Sequence, residues 1–338
     1  MPERNLQVLF ASRPAAAVGA EHFALVEGPV PRPGEGEVLI RNVYLSLDPY
    51  MRGRMRGTSS YVTGFELGEP LQGGVVGEVV ESRNPAFEVG EIVVGMLRWE
   101  EYSLSDGAGL RKVDPAAAPV STALGVLGMP GMTAYVGLLD IGRPNEGETV
   151  MVSAAAGAVG SAAGQVARIK GCRVAGCAGS DAKVAYLLDE LGFDAAFNYR
   201  TAESLGAALD QACPDGIDIY FENVGGPLLD AVLPRMRVGG RVVLCGMISQ
   251  YELERPDPIR NLIAAVPNRL RLEGFIVSDH GDRLPAFLAD MGAWVRSGRV
   301  KYRESIARGL ENAPAAFVGL MRGDNLGKQL VQIGEVPR

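Results

Sequence analysis

The sequence predicts an α/β protein in which a doubly wound parallel sheet is inserted into a second, β-rich domain. Residues 148–183 place a glycine-rich turn and a helix between two apolar strands, whereas the N-terminal part shows short β-like runs without helices between them. The length of 338 residues exceeds the size at which one core usually stops growing. We expect residues 1–125 and 286–338 to form the β-rich domain and residues 126–285 to form the parallel-sheet domain.

The β-rich domain is predicted from both ends of the chain. The runs EVLIRNVYLSL (37–47), GGVVGEVVES (73–82) and VGEIVVGML (89–97) are punctuated by Gly and Pro, which favours a barrel or sandwich. Near the C-terminus, KYRESIARG (301–309) and LGKQLVQI (326–333) follow an amphipathic helix and also predict strands. The last stretch is therefore expected to return to the first domain.

The central segment alternates helical and strand-like patterns. The stretch MPGMTAYVGLLDIGR (129–143) predicts a helix with proline near its start. Strand-like runs follow at GIDIYFENVGG (216–226), GGRVVLCGMIS (239–249) and RLEGFIVSDH (271–280), with helical segments between them. This alternation is typical of a doubly wound parallel sheet.

The glycine-rich turn carries the strongest functional signal. Gly157 and Gly160 follow the buried strand 150–152 and open a helix near Ala158, so that first-turn N–H groups can meet a pyrophosphate. Gly164 would let this helix pack closely. Ala155 stands where the usual pattern has its first glycine, and Gly160 with Gly164 would also suit tight helix packing alone. The flanking strands favour a dinucleotide site.

Composition excludes several classes of partner. The net charge of −7 without a basic tract argues against nucleic acid or an anionic membrane and favours a small molecule. The N-terminus lacks a basic segment followed by an apolar core, which predicts a cytoplasmic location. The four cysteines form no CxxC pair, and buried reduced thiols are expected. Residues 1–150 contain no cysteine and one histidine, His22, so we expect no metal site.

Eight strings give the chain a family resemblance. They are YLSLDPYMRGRM (44–55), GMPGMTAY (128–135), AAAGAVGS (154–161), GCRVAGCAGSDAKVAYL (171–187), FNYR (197–200), YFENVGG (220–226), CGMISQY (245–251) and GDNLGK (323–328). With them the chain resembles the zinc-independent branch of the medium-chain dehydrogenases/reductases, in the group of prostaglandin reductases, leukotriene dehydrogenases and alkenal double-bond reductases, which includes curcumin reductase-like proteins. The resemblance implies a GroES-like domain, an inserted Rossmann domain, NADPH as reductant, an activated alkene as substrate and a homodimer.

Cofactor contacts are expected from the glycine turn, the ends of the strands and the returning C-terminal segment. Asn223, Gly246 and Ser278 stand at or just beyond the carboxyl ends of apolar runs, where such sheets bind ligands, although Asn and Gly there also simply make turns. Asn325 resembles a family residue that reaches the cofactor. The full set of expected contacts is Gly157, Ala158, Val159, Gly160, Lys183, Tyr199, Asn223, Cys245, Gly246, Ser249, Tyr251, Ile276, Val277, Ser278 and Asn325.

The segment AGSDAK at the end of the second strand bears on the choice of cofactor. Gly179 and Ser180 leave room for a 2′-phosphate and Lys183 supplies charge, whereas Asp181 could serve as the acid that holds a ribose hydroxyl in NAD-specific sites. These residues favour NADPH. In the family pattern, the Lys matching Lys183 and the Tyr matching Tyr199 bind the phosphate.

The expected chemistry needs a hydroxyl donor. Hydride addition to the β-carbon of an α,β-unsaturated carbonyl forms an enolate, whose oxygen must be stabilised while the α-carbon takes a proton. Tyrosine is suited to this because its phenol stays protonated at neutral pH. Tyr251 resembles the family tyrosine near the nicotinamide ribose and is the first catalytic candidate, with Tyr50 as the next. Tyr61 lies in a segment that resembles the wall of the substrate cleft. His280 follows a predicted strand, where it is expected either to line the substrate pocket or to be a solvated loop residue.

Two other functions remain open. The chain could be a quinone reductase of the same superfamily, or a non-catalytic NADPH-binding redox sensor. A short-chain dehydrogenase is disfavoured, because none of the ten tyrosines is followed four residues later by lysine.

Overall fold

The chain divides into two compact units in the computed structural model, which describes residues 4–57 and 61–336. Unit 1 comprises Met1–Leu124, Glu304–Asn325 and Gln329–Arg338, and unit 2 comprises Gly125–Arg303 and Leu326–Lys328. Unit 1 is therefore built from both ends of the chain, whereas unit 2 is almost continuous in sequence.

Unit 1 is β-rich. Its strands are β1 (Arg4–Phe10), β2 (Phe23–Pro29), β3 (Val38–Ser46), β4 (Gln72–Ser82), β5 (Ile92–Arg98), β6 (Tyr102–Ser105) and β7 (Arg111–Lys112), followed after unit 2 by β14 (Glu304–Arg308) and β15 (Lys328–Gln332). Its helices are α1 (Met51–Arg54) and α9 (Ala313–Arg322). One sheet has the order β14-β15-β3-β4-β5-β7 with β6 also paired to β3, and β1 pairs with β2.

An aromatic cluster joins the two ends of the chain in the core of unit 1. The fully buried ring of Trp99 stacks on Phe23 at a centroid distance of 6.1 Å, and Phe317 of α9 meets Trp99 edge-on at 6.2 Å. Such pairs contribute beyond the area that they bury. The C-terminal helix is therefore part of this core.

Unit 2 contains a six-stranded parallel sheet. Its strands are β8 (Thr149–Val152), β9 (Arg173–Ala178), β10 (Ala195–Asn198), β11 (Ile217–Glu222), β12 (Met236–Leu244) and β13 (Arg271–Gly274). Its helices are α2 (Met129–Val136), α3 (Ala158–Ile169), α4 (Asp181–Ala185), α5 (Leu205–Ala212), α6 (Gly226–Val232), α7 (Ala265–Asn268) and α8 (Leu284–Arg296). The order β10-β9-β8-β11-β12-β13 reverses between β8 and β11, and a doubly wound sheet binds its ligands at the carboxyl side of that reversal.

Both faces of this sheet are covered, as its apolar strands require. Val150 and Val152 of β8 pack into the core shared with α2, α3 and α8, whereas Met151 packs into the core shared with α5 and α6. This alternation follows from the two-residue period of a strand. The doubly wound sheet and the separate β-rich sheet agree with the predicted fold class.

The division of the chain differs from the predicted one on the C-terminal side. Residues 286–303 lie in unit 2, and the return to unit 1 begins at Glu304 instead of residue 286. The physical reason is α8, which buries Phe287 and Met291 completely in the unit 2 core. An amphipathic pattern shows which face of a helix is buried but not which core receives it.

Helices long and apolar enough to cross a membrane are absent from the described residues.

Replacement of Gly164 by alanine is expected to destabilise unit 2. A Cβ at this position of α3 would overlap the ring of Phe193, so the ring must shift in a packed core. We expect G164A to lose about 1–3 kcal/mol of unfolding free energy in denaturant titration. The additional substitution F193L should recover part of the loss. G281A, where a Cβ meets nothing within 4 Å, is the matched control. A G164A protein as stable as G281A would contradict this packing.

Candidate functional site

The turn between β8 and α3 presents a helix N-terminus without a side-chain cap. Gly157 occupies the N-cap position, and Ala158, Val159 and Gly160 form the first turn. A Cβ on Gly160 would lie 2.5 Å from the carbonyl oxygen of Ala154, so only glycine allows the helix to start this close to the preceding turn. The first N–H groups of a helix have no intrahelical acceptor, and together with the helix dipole they suit a diphosphate.

The departure from the usual glycine pattern at Ala155 has a structural explanation. The Ala155 methyl group is buried, and its backbone N–H donates to the carbonyl of Cys177 in β9 at 3.0 Å. A Cβ added to Gly176 of β9 would lie 2.8 Å from that methyl carbon. The neighbouring strand thus supplies the glycine that makes room for Ala155.

The returning segment Leu326–Lys328 lies beside the same turn. The N–H of Gly327 donates to the carbonyl of Ala156 at 2.9 Å, and Gly327 has a φ of +70°, in the left-handed region that favours glycine. Asn325 directly precedes this segment. Sequence reasoning assigned Asn325 from the family pattern, and this backbone contact is the local reason why the C-terminal segment reaches the turn.

The residues at the end of β9 form a polar group around Gly179. A Cβ on Gly179 would lie 2.9 Å from the Tyr199 hydroxyl and 3.2 Å from Nε of Arg200. Lys183 is in α4, whose N-cap Ser180 accepts from the Lys183 N–H. Asp181, which could have served as a ribose acid, accepts a hydrogen bond from Nδ2 of Asn198 at 2.8 Å. The cationic and hydroxyl groups favour a phosphate at this position.

A buried carboxyl group, that of Glu222, joins the ends of β8 and β11. Its Oε1 accepts from the Ser153 hydroxyl at 2.8 Å and from the Val224 N–H at 2.6 Å. Asn223 completes the link, because its N–H donates to Ser153 Oγ at 2.7 Å and its Nδ2 donates to the Ser153 carbonyl at 2.8 Å. Burial raises the pKa of Glu222, and the hydrogen bonds from Val224, Gly225 and Ser153 oppose that rise.

Sequence reasoning missed Glu222. The available signal was an acidic residue at the end of the apolar run IDIYFE, directly before the predicted site residue Asn223. A carboxyl group that is 0% exposed is rare unless it is paired or hydrogen-bonded. We therefore count Glu222 among the residues that shape the reversal point of the sheet.

A cleft of about 490 Å³ lies at the carboxyl ends of β12 and β13. Its lining residues include the predicted Cys245, Gly246, Tyr251 and Ile276, together with Leu244, Met247, Gly274, Phe275 and Asp279. The Tyr251 oxygen accepts from the Met247 N–H at 3.2 Å. Burial raises the pKa of Tyr251, so its hydroxyl stays protonated at neutral pH.

Other predicted residues lie close to this cleft. Ser249 donates from its hydroxyl to the Val224 carbonyl at 2.6 Å, which fixes the loop that follows Glu222. Val277 and Ser278 follow Ile276 in the turn after β13, and the side chain of Ser278 is exposed. The His280 ring meets Phe275 edge-on at a centroid distance of 6.3 Å. The predicted residues after β12 and β13 therefore lie in one region of unit 2.

Tyr50 and Tyr61 belong to unit 1, where Arg54 connects them electrostatically. Burial, and to a smaller extent Asp48, raises the pKa of Tyr50, whereas Arg54 lowers it. The charge of Arg54 also interacts with Tyr61, whose side chain is 65% exposed. Arg54 was not predicted as a site residue, although it stands in the family-like string YLSLDPYMRGRM.

The four cysteines are free thiols, of which Cys172, Cys177 and Cys213 are buried and Cys245 is half-buried at the cleft. Burial raises the pKa of the Cys172 and Cys213 thiols to about 11, and that of the Cys177 and Cys245 thiols to about 12. In the part of the chain that the structure describes, no group of three or more His, Cys, Asp or Glu side chains is placed to hold a metal ion.

Comparison with known proteins matches most of the chain. The family described as N-terminal domain of oxidoreductase matches residues 6–113, and the family described as zinc-binding dehydrogenase matches residues 158–292. The NADPH-dependent curcumin reductase of Escherichia coli is 47% identical over 98% of this chain and 97% of its own, and the tobacco NADP(+)-dependent 2-alkenal reductase is 49% identical over 89% and 88%.

A solved structure extends this similarity to three dimensions. The crystal structure of CurA in complex with NADPH from Vibrio vulnificus has a TM-score of 0.92, with 47% identity over 98% of this chain and 100% of that one. The chain belongs to the zinc-independent medium-chain dehydrogenase/reductase family. This family resemblance was predicted from the eight strings and is confirmed.

Native thiol reactivity should be low for this family member. Because burial raises each thiol pKa to about 11 or 12, the reactive thiolate forms only as the pH approaches those values. At pH 7.5 we expect iodoacetamide to label the native cysteines at least roughly 100-fold more slowly than those of the unfolded chain. Peptide mass spectrometry gives the rate at each site. A cysteine that reacts in the native protein as fast as in the unfolded chain would contradict the raised pKa of its thiol.

Proposed function

We propose that this protein uses NADPH to reduce the carbon–carbon double bond of α,β-unsaturated aldehydes and ketones. The observation that carries the proposal is the placement of Tyr251 in a cleft at the carboxyl edge of the parallel sheet, in the same unit as the uncapped glycine turn. Relatives that cover nearly the whole chain reduce curcumin and alkenals with this cofactor, by their names. The protein is accordingly an NADP-dependent oxidoreductase of its family.

The residues of unit 2 suggest how the dinucleotide is held. The N–H groups of the first turn of α3 would bind the diphosphate, and Lys183 with Tyr199 would bind the 2′-phosphate. We infer that Asn223, fixed through Ser153 and Glu222, and the loops after β12 and β13 hold the nicotinamide end. The carboxyl edge of such a sheet is where these groups are expected.

The chemistry divides between the cofactor and the protein. NADPH supplies a hydride for the β-carbon of the conjugated carbonyl compound. The protein must then stabilise negative charge on the carbonyl oxygen of the resulting enolate, and we assign this role to the Tyr251 hydroxyl. Its raised pKa keeps the proton on the phenol, so that Tyr251 acts as a hydrogen-bond donor. Tyr50 is a second proposed donor, with Tyr61 and His280 as substrate contacts.

The alternatives differ in their expected products and kinetics. A quinone reductase would consume NADPH with a quinone but not with an enal. A redox sensor would bind NADPH without turnover. We favour the double-bond reductase.

The cytoplasmic location and the homodimer stay predictions. In the described part of unit 2, β13 is the last strand of its sheet, and the nearby side chains of Ile263 and Val266 are 77% and 78% exposed. An open strand edge beside exposed apolar residues suits association with a second copy. Light scattering at micromolar concentration tests this, and a mass of one chain would contradict it.

Replacement of Lys183 by alanine should reduce the preference for NADPH over NADH. The lost charge-assisted interaction with the 2′-phosphate corresponds to about 1.5–3 kcal/mol, or roughly 10- to 150-fold in the ratio of kcat/KM values. Affinity for NADH should stay within about twofold, because that nucleotide carries no 2′-phosphate. K170A, in which an exposed lysine after α3 is removed, serves as the control. An unchanged preference in K183A would exclude this assignment.

The decisive test of the proposed function follows NADPH oxidation with a conjugated enal, a conjugated ketone and a quinone, with product identification by mass and NMR. We expect saturated carbonyl products. Y251F should lower turnover by about 10²- to 10³-fold, as loss of one oxyanion donor does. Y102F, from β6 of unit 1, is the control. Full activity of Y251F would remove this residue from the mechanism, and turnover of the quinone alone would favour the alternative.

A further inference from the structure

A buried cation, Arg54, stands at the end of α1 in unit 1. The residue is 4% exposed, and its guanidinium is held on three sides. Nε donates to the Thr63 carbonyl at 2.7 Å, and the two terminal nitrogens donate to the carbonyl and to Oε1 of Gln72 at 3.4 and 3.0 Å. The guanidinium also lies 4.0 Å from the centroid of the Phe65 ring. The position of the charge is therefore fixed.

This charge has no carboxylate partner at salt-bridge distance among the described residues. Burial lowers the pKa of Arg54, and the groups that oppose this effect are the phenols of Tyr50 and Tyr61. A guanidinium stays protonated in proteins, so the positive charge remains. A buried charge without a counter-charge is unfavourable, and a negative ligand oxygen nearby would offset that cost.

Tyr50 is the group through which this charge can reach a ligand. A side-chain hydrogen bond links Tyr50 and Arg54, and because a guanidinium carries only donors, the Tyr50 oxygen is its acceptor. The phenol proton is thereby directed to another acceptor. Asp48, whose carboxylate accepts a hydrogen bond from the Ser46 hydroxyl, is the charged neighbour that disfavours a Tyr50 phenolate. Burial and Asp48 outweigh the opposing effect of Arg54 on the pKa of Tyr50, so Tyr50 stays a protonated donor beside a fixed positive charge.

We propose that Arg54 is a positioning residue that orients the Tyr50 hydroxyl as a donor, and that the pair forms a subsite for a substrate oxygen that carries or gains negative charge. The ligand class comprises carbonyls that become enolates, and carboxylates. For the reductive reaction this inference rests on the proposed function, because it assigns the second enolate donor. Carboxylate binding at the subsite does not depend on that reaction.

The test compares R54Q, R54K, Y50F and the double variant R54Q/Y50F in the full chain. R54Q removes the charge, and R54K keeps the charge but loses the forked hydrogen bonds. R41Q removes an arginine of β3 that pairs with Glu78 and serves as the matched control. Thermal unfolding first establishes that each variant is folded. If R54Q does not unfold cooperatively, R54K takes its place in the measurements of kcat and of hexanoate affinity.

Three readouts separate a positioning role from a merely structural one. We expect R54Q to lower kcat with a conjugated enone by roughly 10- to 100-fold while the dissociation constant for NADPH stays within about twofold. R54K should recover part of the loss. The loss of kcat in the double variant should be much smaller than the product of the losses in R54Q and Y50F, because both changes act on the same Tyr50 donor. R41Q should match the unsubstituted protein.

A binding experiment tests the subsite independently of turnover. Calorimetry without cofactor compares hexanoate, as a carboxylate probe, with hexanol as its uncharged match. We expect R54Q to weaken hexanoate binding at least roughly tenfold and to leave hexanol unaffected. If the protein reduces no enone but binds hexanoate through Arg54, the proposed function fails and the subsite stands. A folded R54Q with unchanged kcat and unchanged hexanoate affinity would overturn the inference, as would multiplicative losses in the double variant.

Discussion

The arrangement of the candidate cofactor site depends on one buried carboxyl group. Glu222 holds the ends of β8 and β11 together through Ser153 and Val224, at the point where the strand order of the sheet reverses. Two hydrogen bonds to its Oε1, from the Ser153 hydroxyl and the Val224 N–H, offset part of the cost of burying this carboxyl group. Its removal would release two loops at once, the glycine turn after β8 and the Asn223 loop after β11. The two sides of the crevice are thus coupled by a residue that need not touch a ligand.

Gly160 makes room for the Ala154 carbonyl, and Gly176 makes room for the Ala155 methyl group. Gly327, whose N–H donates to the Ala156 carbonyl, makes room for the Arg303 carbonyl. A pattern match along one stretch of sequence captures only the first of these. The apparent departure at Ala155 is compensated on β9, which lies beside β8 in the sheet but follows it in sequence. The glycine-rich turn is therefore better described by the backbone contacts that its glycines permit than by the spacing of glycines along the sequence.

The sequence predicted those features that are set by local pattern. The helix beginning at Ala158 and the alternation of strands and helices follow from turn chemistry and apolar periodicity, and both are present. Features that depend on tertiary contacts were not predictable in this way. The attachment of α8 to unit 2 depends on which core receives Phe287, and the hydrogen bond that Asp181 of α4 accepts comes from Asn198 of β10. Glu222 and Arg54 were not predicted as site residues, because a single charged residue in a sequence forms no periodic pattern that would indicate its burial. The assigned roles of the site residues remain predictions.

The aromatic cluster of Trp99, Phe23 and Phe317 has a consequence for the order in which the protein is made. Its first two members are synthesised within the first hundred residues, whereas Phe317 emerges only near the end of the chain. Unit 2 has nearly its whole sequence available before that point. During translation, the core of the N-terminal segment therefore stays incomplete while the sequence of unit 2 is synthesised. This aromatic cluster therefore cannot form completely until the C-terminal helix has been synthesised.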